Sequence, residues 1–392
     1  MHKEEKSKIL SIYGNKVFYG HERSNLQVFN VLNNEGFDLL ILTNQDGIAE
    51  EAKNLLDCKK IPQKAIQFVL WEDMRKPFTI LKIVRYLMKL VGHNLDFIRQ
   101  YNSFRPDFIF IANDFMYINL LPSLLFIKAP IVYRLGDAPV IAWKPFRFLW
   151  KNVIVKRTTK FVCISNFIKE KLLAVGRNPL ASDSIIYNYP PERVNTNFTP
   201  IHYAKKGITF SYLGQIIEKK GVADFIDAAI ITCHRTTEAY FILAGSLTYD
   251  SNFALTQKNK VEVANLANRI IFLGPVENIE DFFRKTDVLV TPSLKQEPLG
   301  NVIVEAKANR TPSIIFNSGG MPELIKEGID GYICQGSTAD ELVKAFNYYL
   351  NNQNCIRIQG ENAFKSIKEL RIDFESYVFN WNEVFSKKMK II

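Results

Sequence analysis

DVLVTPSLKQEPLGNVIVEAKANRTPSIIFNSGG, residues Asp287–Gly320, reads as a strand, a loop, a helix and a second strand. Val288, Leu289 and Val290 are strand-like. Pro292 and Pro298 mark a loop, the apolar residues from Leu299 to Ala308 fall at helical spacing, and PSIIFN returns to a strand pattern. Glu297 and Glu305, eight positions apart, therefore sit at or just inside a helix N-terminus. That end of a helix offers free N–H groups and partial positive charge, which suit a phosphate. Were the segment wholly helical, eight steps of about 1.5 Å would separate the acids by roughly 12 Å, about the span from sugar to ribose across a diphosphate. The spacing suggests a clamp for a nucleotide sugar, with the diphosphate over the helix end and one acid per sugar ring. Two solvated acids favoured by the helix dipole would look the same.

The same alternation extends outward along the chain. KILSIYG, a helix from about Arg23 to Asn33, FDLLILT, FIFIAN, PIVYRL and FVCIS form one series. ITFSYLG, a helix around Phe225 to Ile231, AYFILAG, RIIFLG, DVLVTP and PSIIFN form a second. Such alternation implies an α/β chain with parallel sheets covered by helices on both faces. Between the series, residues 188–206 are rich in Pro, Asn and Thr and read as a linker. Two doubly wound domains are expected, at 1–195 and 205–370, with ligands in the cleft at the carboxyl ends of their strands. FSYLGQIIEKKGVADFI supplies a second site element: a strand ends at Gly214 and Lys220-Gly221 opens a helix. An ammonium beside backbone N–H groups can neutralise a diphosphate leaving group.

The paired glutamates in this setting, with the GG pair before MPEL, resemble the retaining GT-B glycosyltransferases of glycosyltransferase family 4. That family's signature is a glutamate, seven residues and a second glutamate. The resemblance covers nearly the whole chain and is strongest in the C-terminal half. It implies two Rossmann-like domains facing each other across a cleft, the N-terminal one binding acceptor and the C-terminal one binding donor. It also implies a terminal helix, about 373–392, that packs back on the N-terminal domain. The implied reaction moves a sugar from a UDP- or GDP-linked donor to an acceptor hydroxyl with retention of anomeric configuration.

The resemblance assigns roles residue by residue. Glu305 holds the ribose hydroxyls, Glu297 a hydroxyl of the donor sugar, and backbone N–H groups near Gly300, Asn301 and Val302 the phosphate or sugar. Lys220 stabilises the leaving group. The family places an arginine after the glycine at Gly214, where this chain has Gln215; Lys219 and Lys295 are candidate replacements. Base selection falls around Gly274-Pro275. In KVFYGHERSNLQVFNVL, Gly20 matches the glycine-rich loop that approaches diphosphate or acceptor, followed by His21, Glu22 and Arg23. The family often has a histidine before the aspartate near the transferring sugar; here the pair is Gly136-Asp137. Asp137 is the candidate for orienting a sugar hydroxyl, with Asp114 a second. No clustered carboxylates have metal-binding spacing, so no metal is expected.

Charge and composition bound the partners. The chain has 392 residues and a formal charge of +10, and residues 1–200 hold 28 Lys+Arg against 18 Asp+Glu. RKPFTILKIVRYLMKL brings Lys82, Arg85 and Lys89 to helical spacing. WKPFRFLWKNVIVKRTTK interleaves Trp143, Phe146, Phe148 and Trp150 with Lys144, Arg147 and Lys151. Both suit an anionic membrane surface; equally, the aromatics could be core and the lysines solvated. Nucleic acid is not an expected partner, because no recognition motif accompanies the charge. Five scattered cysteines read as reduced thiols of a cytoplasmic protein. No apolar run approaches the roughly 20 residues of a spanning helix, so the chain is expected to be soluble or peripheral at the inner membrane face. The acceptor is expected to be a glycan or a lipid-linked sugar, as in surface polysaccharide or glycoconjugate synthesis. Three other readings remain: a nucleotide- or glycan-binding protein on this scaffold, a membrane-surface or nucleic-acid scaffold, and a sugar-nucleotide epimerase.

Overall fold

The computed structural model describes residues 6–18, 20–70, 79–141, 144–178, 180, 182–190 and 207–386. The linker residues 191–206, the start of the first basic stretch at 75–78, Trp143 and the terminal residues 387–392 lie outside them. The chain divides into unit 1, Met1–Ile186 with Tyr377–Ile392, and unit 2, Tyr187–Ser376.

Unit 1 is built on seven parallel strands: β1 (Lys8–Tyr13), β2 (Asp38–Asn44), β3 (Gln63–Ile66), β4 (Phe108–Ile111), β5 (Ile131–Leu135), β6 (Lys160–Cys163) and β7 (Ser184–Ile185). Their order is β3-β2-β1-β4-β5-β6-β7. Unit 2 has six parallel strands: β8 (Ile208–Leu213), β9 (Ala239–Ala244), β10 (Ile270–Gly274), β11 (Val288–Thr291), β12 (Ser313–Phe316) and β13 (Gly331–Cys334). Their order is β10-β9-β8-β11-β12-β13. Both sheets reverse direction of growth once, between β1 and β4 and between β8 and β11. Such switch points leave a crevice at the strand carboxyl ends.

The strands expected from sequence are present, and β4, β5, β6 and β12 are buried along their whole length, as in FIFI of β4 and SIIF of β12. Helices on both faces make this possible. Three edge strands carried no readable signal. β3, QKAI, exposes three of its four residues, β7 has only two residues, and β13 is half-buried at its centre. Short edge strands resist pairing with other chains and are too brief to show the apolar pattern by which a strand is recognised.

Two aromatic clusters fix the elements that carry the sites. In unit 2, Phe225 of the Val222–Arg235 helix packs edge-on against Phe241 of β9, with ring centroids 5.8 Å apart, and Phe210 lies 4.6 Å from Phe346. In unit 1, Trp381 and Phe385 from the terminal segment lie 5.5 Å and 5.7 Å from Phe110 of β4, and Phe385 also meets Phe108 at 5.5 Å. Each such pair adds about 0.5–1.5 kcal/mol beyond area burial. Trp150, one of the aromatics in the second basic stretch, is fully buried and stacks on Tyr133. It belongs to the core and not to a surface. Among the described residues no helix is long and apolar enough to cross a membrane.

Candidate functional site

In unit 2 Gly214, Gln215, Lys220 and Glu297 lie in the loops that follow β8 and β11. After β8 the backbone bends through Gly214 and Gln215, whose carbonyl accepts the Tyr212 hydroxyl at 2.7 Å. A short 3-10 turn, Glu218–Lys220, follows, and Gly221 at φ 70° starts the Val222–Arg235 helix. A side chain at Gly221 would overlap the carbonyl oxygen of Pro292, so glycine lets the loops after β8 and β11 touch. Leu294 and Lys295 both donate backbone N–H bonds to the Lys219 carbonyl at 3.1 Å. Laced in this way, the two loops bring Lys220 Nζ to 2.6 Å from Glu297 Oε1.

Glu297 is held from three further directions. Ser293 Oγ, itself buried, lies 2.7 Å from Oε1. Gly320 donates its N–H to the Glu297 carbonyl at 2.7 Å. Gly319, at φ 62°, runs so close that any Cβ would overlap the Glu297 backbone. The GG pair is thus a backbone clamp on the acid. The side chains of Lys220 and Glu297 remain 29% and 16% exposed, open enough to meet a ligand. The pair lies partly out of water, which strengthens its attraction over that of a surface pair.

The expected helix starts later than its sequence pattern suggests. It spans Asn301–Ala308, with Gly300 as N-cap at φ 97°. Glu297 therefore lies in the loop before the helix and Glu305 one turn inside it, so the 12 Å estimate for a continuous helix does not apply. Gly300 supplies no side-chain cap, and the first-turn N–H groups of Asn301 and Val302 have no partner within the helix. Asn188 Nδ2 bonds Asn301 Oδ1 at 2.7 Å, and Tyr187 bonds Glu323 at 2.8 Å, tying this end down. Lys307, two residues beyond Glu305, forms a buried 2.8 Å ion pair with Asp330 and a 2.9 Å bond to Ser366. Burial pushes the Lys307 ammonium down and Asp330 opposes this. Pro275 follows β10 on an exposed turn. Lys219 and Lys295 are exposed, close to the pair through their backbones.

Unit 1 has its own cluster at the ends of β1, β4 and β5. The Gly20–Asn34 helix begins at Gly20, whose carbonyl accepts Ser24 Oγ at 2.8 Å. Arg23 is exposed, with its guanidinium over the Phe18 ring, and Glu22 turns inward to accept from Asn15 at 2.9 Å. His21 Nε2 lies 2.9 Å from the Ala112 carbonyl. A carbonyl only accepts, so Nε2 carries the proton of that bond. The other nitrogen, Nδ1, faces Asp137 Oδ2 at 3.9 Å. A Cβ on Gly136 would sit 2.5 Å from the His21 ring. Sequence order finds no histidine ahead of Asp137, and the fold brings one there from another element. Beneath it, Asp114 accepts the Tyr133 hydroxyl. Burial, then the charge of Asp137, pushes the Asp114 carboxyl up to about 7, against a backbone bond from Val140. Among the described residues no group of three or more His, Cys, Asp or Glu could hold a metal ion.

Ser293, Asn188 and Lys307 escaped the sequence reading. Ser293 had a local signal, a hydroxyl directly after Pro292 in the loop that carries Glu297. Asn188 and Lys307 act through partners distant in sequence and had none.

Residues 195–366 match the family described as Glycosyl transferases group 1. The segment includes Lys220, Glu297, the Asn301–Ala308 helix and the GG pair. The lipopolysaccharide core biosynthesis mannosyltransferase LpcC of Rhizobium leguminosarum bv. viciae is 31% identical over 157 residues, 40% of this chain and 44% of that one. The chain spans about half the length of the first curated relatives it matches. UDP-Gal:alpha-D-GlcNAc-diphosphoundecaprenol alpha-1,3-galactosyltransferase of Escherichia coli is 22% identical, over 94% of this chain and 97% of that one. The solved structure of Anabaena HepE in complex with UDP-glucose superposes with a TM-score of 0.76 at 19% identity, covering 96% of this chain and 98% of that one. That likeness carries the fold, the two-domain α/β GT-B architecture.

Proposed function

We propose that this protein transfers a sugar from a UDP- or GDP-linked donor to a hydroxyl of a glycan or lipid-linked acceptor, with retention, in the synthesis of a surface polysaccharide or glycoconjugate. The observation that carries the reading is the 2.6 Å approach of Lys220 to Glu297 at the β8/β11 switch point, inside the segment matched to the glycosyl transferases group 1 family. An ammonium, a carboxylate and a helix N-terminus offer complementary partners for a diphosphate, a sugar hydroxyl and a phosphate oxygen.

In this reading Lys220 meets the diphosphate as charge develops on it, with the N–H groups of Gly300, Asn301 and Val302 beside it. Glu297 accepts a hydroxyl of the donor sugar, and Glu305 accepts the two ribose hydroxyls, which one carboxylate can do at once. Gly214, Gln215 and Pro275 border the nucleotide. On unit 1, Gly20, His21, Arg23 and Asp137 serve the acceptor or the transferring sugar, and Gly136 leaves room for His21. The leaving diphosphate is neutralised by protein cations, so the reaction needs no bound metal. The names of relatives support the donor and acceptor classes: one is a lipopolysaccharide core biosynthesis mannosyltransferase, another a galactosyltransferase named for a UDP-Gal donor and a diphosphoundecaprenol acceptor. A lipid-linked acceptor would bring the protein to the cytoplasmic face of the membrane.

The test is to incubate the full chain with UDP-, GDP- and ADP-linked sugars in EDTA and follow release of nucleoside diphosphate. Release from one base class supports the reading. Nucleotide binding with no release from any donor points to a binding protein on this scaffold, and conversion of the donor to an epimer without release points to an epimerase.

A further inference from the structure

Two proton acceptors face each other on unit 1 across a gap too wide for a hydrogen bond. His21 Nε2 donates to the Ala112 carbonyl at 2.9 Å, so in the neutral ring Nδ1 presents a lone pair. That lone pair faces Asp137 Oδ2 at 3.9 Å, beyond hydrogen-bond reach. A structural ion pair closes further, as Arg177 and Asp183 do at 2.8 Å. The Asp137 side chain is 70% exposed and that of His21 24%, so the gap is an open notch. Its walls are fixed. The fully buried Arg134 guanidinium bonds Asn25 Oδ1 at 2.5 Å, and Asn25 Nδ2 reaches the same Ala112 carbonyl at 3.5 Å. These bonds tie the helix that carries His21 to the ends of β4 and β5. The charged groups around the ring are Glu22 and Arg23 on its own helix, Arg134 and Asp137 on β5 and its loop, and Asp114 after β4.

Two acceptors at this spacing select a pair of donors. A lone hydroxyl has one proton and satisfies only one of them. Neighbouring ring hydroxyls of a sugar bring two protons at a separation below the gap, so each reaches one acceptor at about 2.8 Å. A phosphate or carboxylate brings no proton and meets the charge of Asp137. An ammonium has protons to give, but Arg134 and Arg23 already set two cations beside the notch. We propose that the notch binds two neighbouring hydroxyls of the acceptor sugar, the nucleophilic one donating to His21 Nδ1 and its neighbour to Asp137 Oδ2, and that His21 takes the nucleophile's proton. This rests on the sugar-transfer reading and names the acceptor chemistry of unit 1 within it. As the proton passes to Nδ1, the oxygen's electron pair forms the bond to the anomeric carbon. The anomeric carbon's bond to the diphosphate oxygen breaks, and its pair leaves with the diphosphate. Asp137 stabilises the imidazolium, which then gives its proton to water.

Nitrogen-15 NMR of the full chain, labelled at histidine, reads the ring directly, and His21→Gln identifies its signals among the five histidines. At about pH 8 the wild type should show the Nε2–H tautomer. At least one of the methyl glycosides of mannose, glucose and galactose should shift Nδ1, and cyclohexanol, with one hydroxyl, should not. Asp137→Ala should weaken binding of that glycoside about tenfold or more, the scale of a hydrogen bond to a charged group. With the same glycoside as acceptor, His21→Gln keeps an N–H for the Ala112 carbonyl but cannot take a proton. It should lower kcat about 100-fold or more and remove the fall in rate toward acid pH, with nucleoside diphosphate affinity unchanged. An Nδ1–H tautomer, no Nδ1 shift with any of the three glycosides, an equal shift with cyclohexanol, or wild-type turnover by His21→Gln would overturn the proposal. A silent Nδ1 with donor cleavage intact overturns the notch alone. A glycoside that shifts Nδ1 while no donor is cleaved overturns the donor reading and leaves the two hydroxyl contacts standing.

Discussion

Lys220 Nζ and Glu297 Oε1 lie 2.6 Å apart, although 77 residues separate them in sequence. The contact exists because Gly221 lets one loop rest on the Pro292 carbonyl of the other. Each charge is the other's partner in this structure, so under the proposed function a donor divides the pair, its diphosphate taking the ammonium and its sugar the carboxylate. Glu297→Ala should therefore lower turnover about 100- to 1,000-fold, the usual scale for losing one positioned electrostatic contact. Nucleoside diphosphate affinity should hold or rise, since Lys220 loses its competitor. Steady-state kinetics together with nucleotide titration of the variant checks both.

The glycine clamp behind Glu297 gives a second expectation. Gly319→Ala forces a Cβ onto the Glu297 backbone at a left-handed φ of 62°, so it should lower turnover as Glu297→Ala does. Gly328→Ala is the control: its φ is 71°, but nothing lies within 4 Å. It should cost about 1–2 kcal/mol of backbone strain, read by urea unfolding, and leave turnover unchanged.

On unit 1, Gly136→Ala should evict His21 from its place beside Asp137. If His21 acts from that position, Gly136→Ala and His21→Ala should lower sugar transfer by similar factors. The double variant should be no worse than either alone, the signature of two residues acting as one unit. Additive losses would mean the two positions work independently.

Asp114 predicts a pH dependence of stability. Its folded carboxyl is raised from 3.8 to about 7, so between those values the folded state binds more protons than the unfolded one. Stability should fall as pH rises from about 4 to 7 and then level off. Three units correspond to on the order of 4 kcal/mol. Asp114→Asn keeps an oxygen for the Tyr133 hydroxyl but cannot ionise. The stability of wild type minus that of Asp114→Asn, from urea unfolding at pH 4.5 and 7.5, should decline by that order.

Periodicity exposed the two strand-helix series because their central strands are buried on both faces and hence continuously apolar. It missed β3, which is polar and mostly exposed, and β7 and β13, which are too short to carry such a run. At the site, Lys220, Glu297 and the GG pair were legible because each sits at a strand end marked by glycine or proline. The contact between Lys220 and Glu297 was not, nor was the approach of His21 to Asp137. Both join segments that only the sheet order brings together. The helix start was misplaced because Leu299 continues the apolar spacing of the helix, while Gly300 at positive φ ends the helical backbone.

The most direct measurement is calorimetric titration of UDP and GDP into the wild-type chain and Glu305→Ala. The account predicts that one of the two nucleotides binds the wild type and that Glu305→Ala weakens it by about tenfold or more, as expected for unpairing two ribose hydroxyls at about 1 kcal/mol each. Equal affinity in both proteins, or no binding of either nucleotide to the wild type, would contradict it.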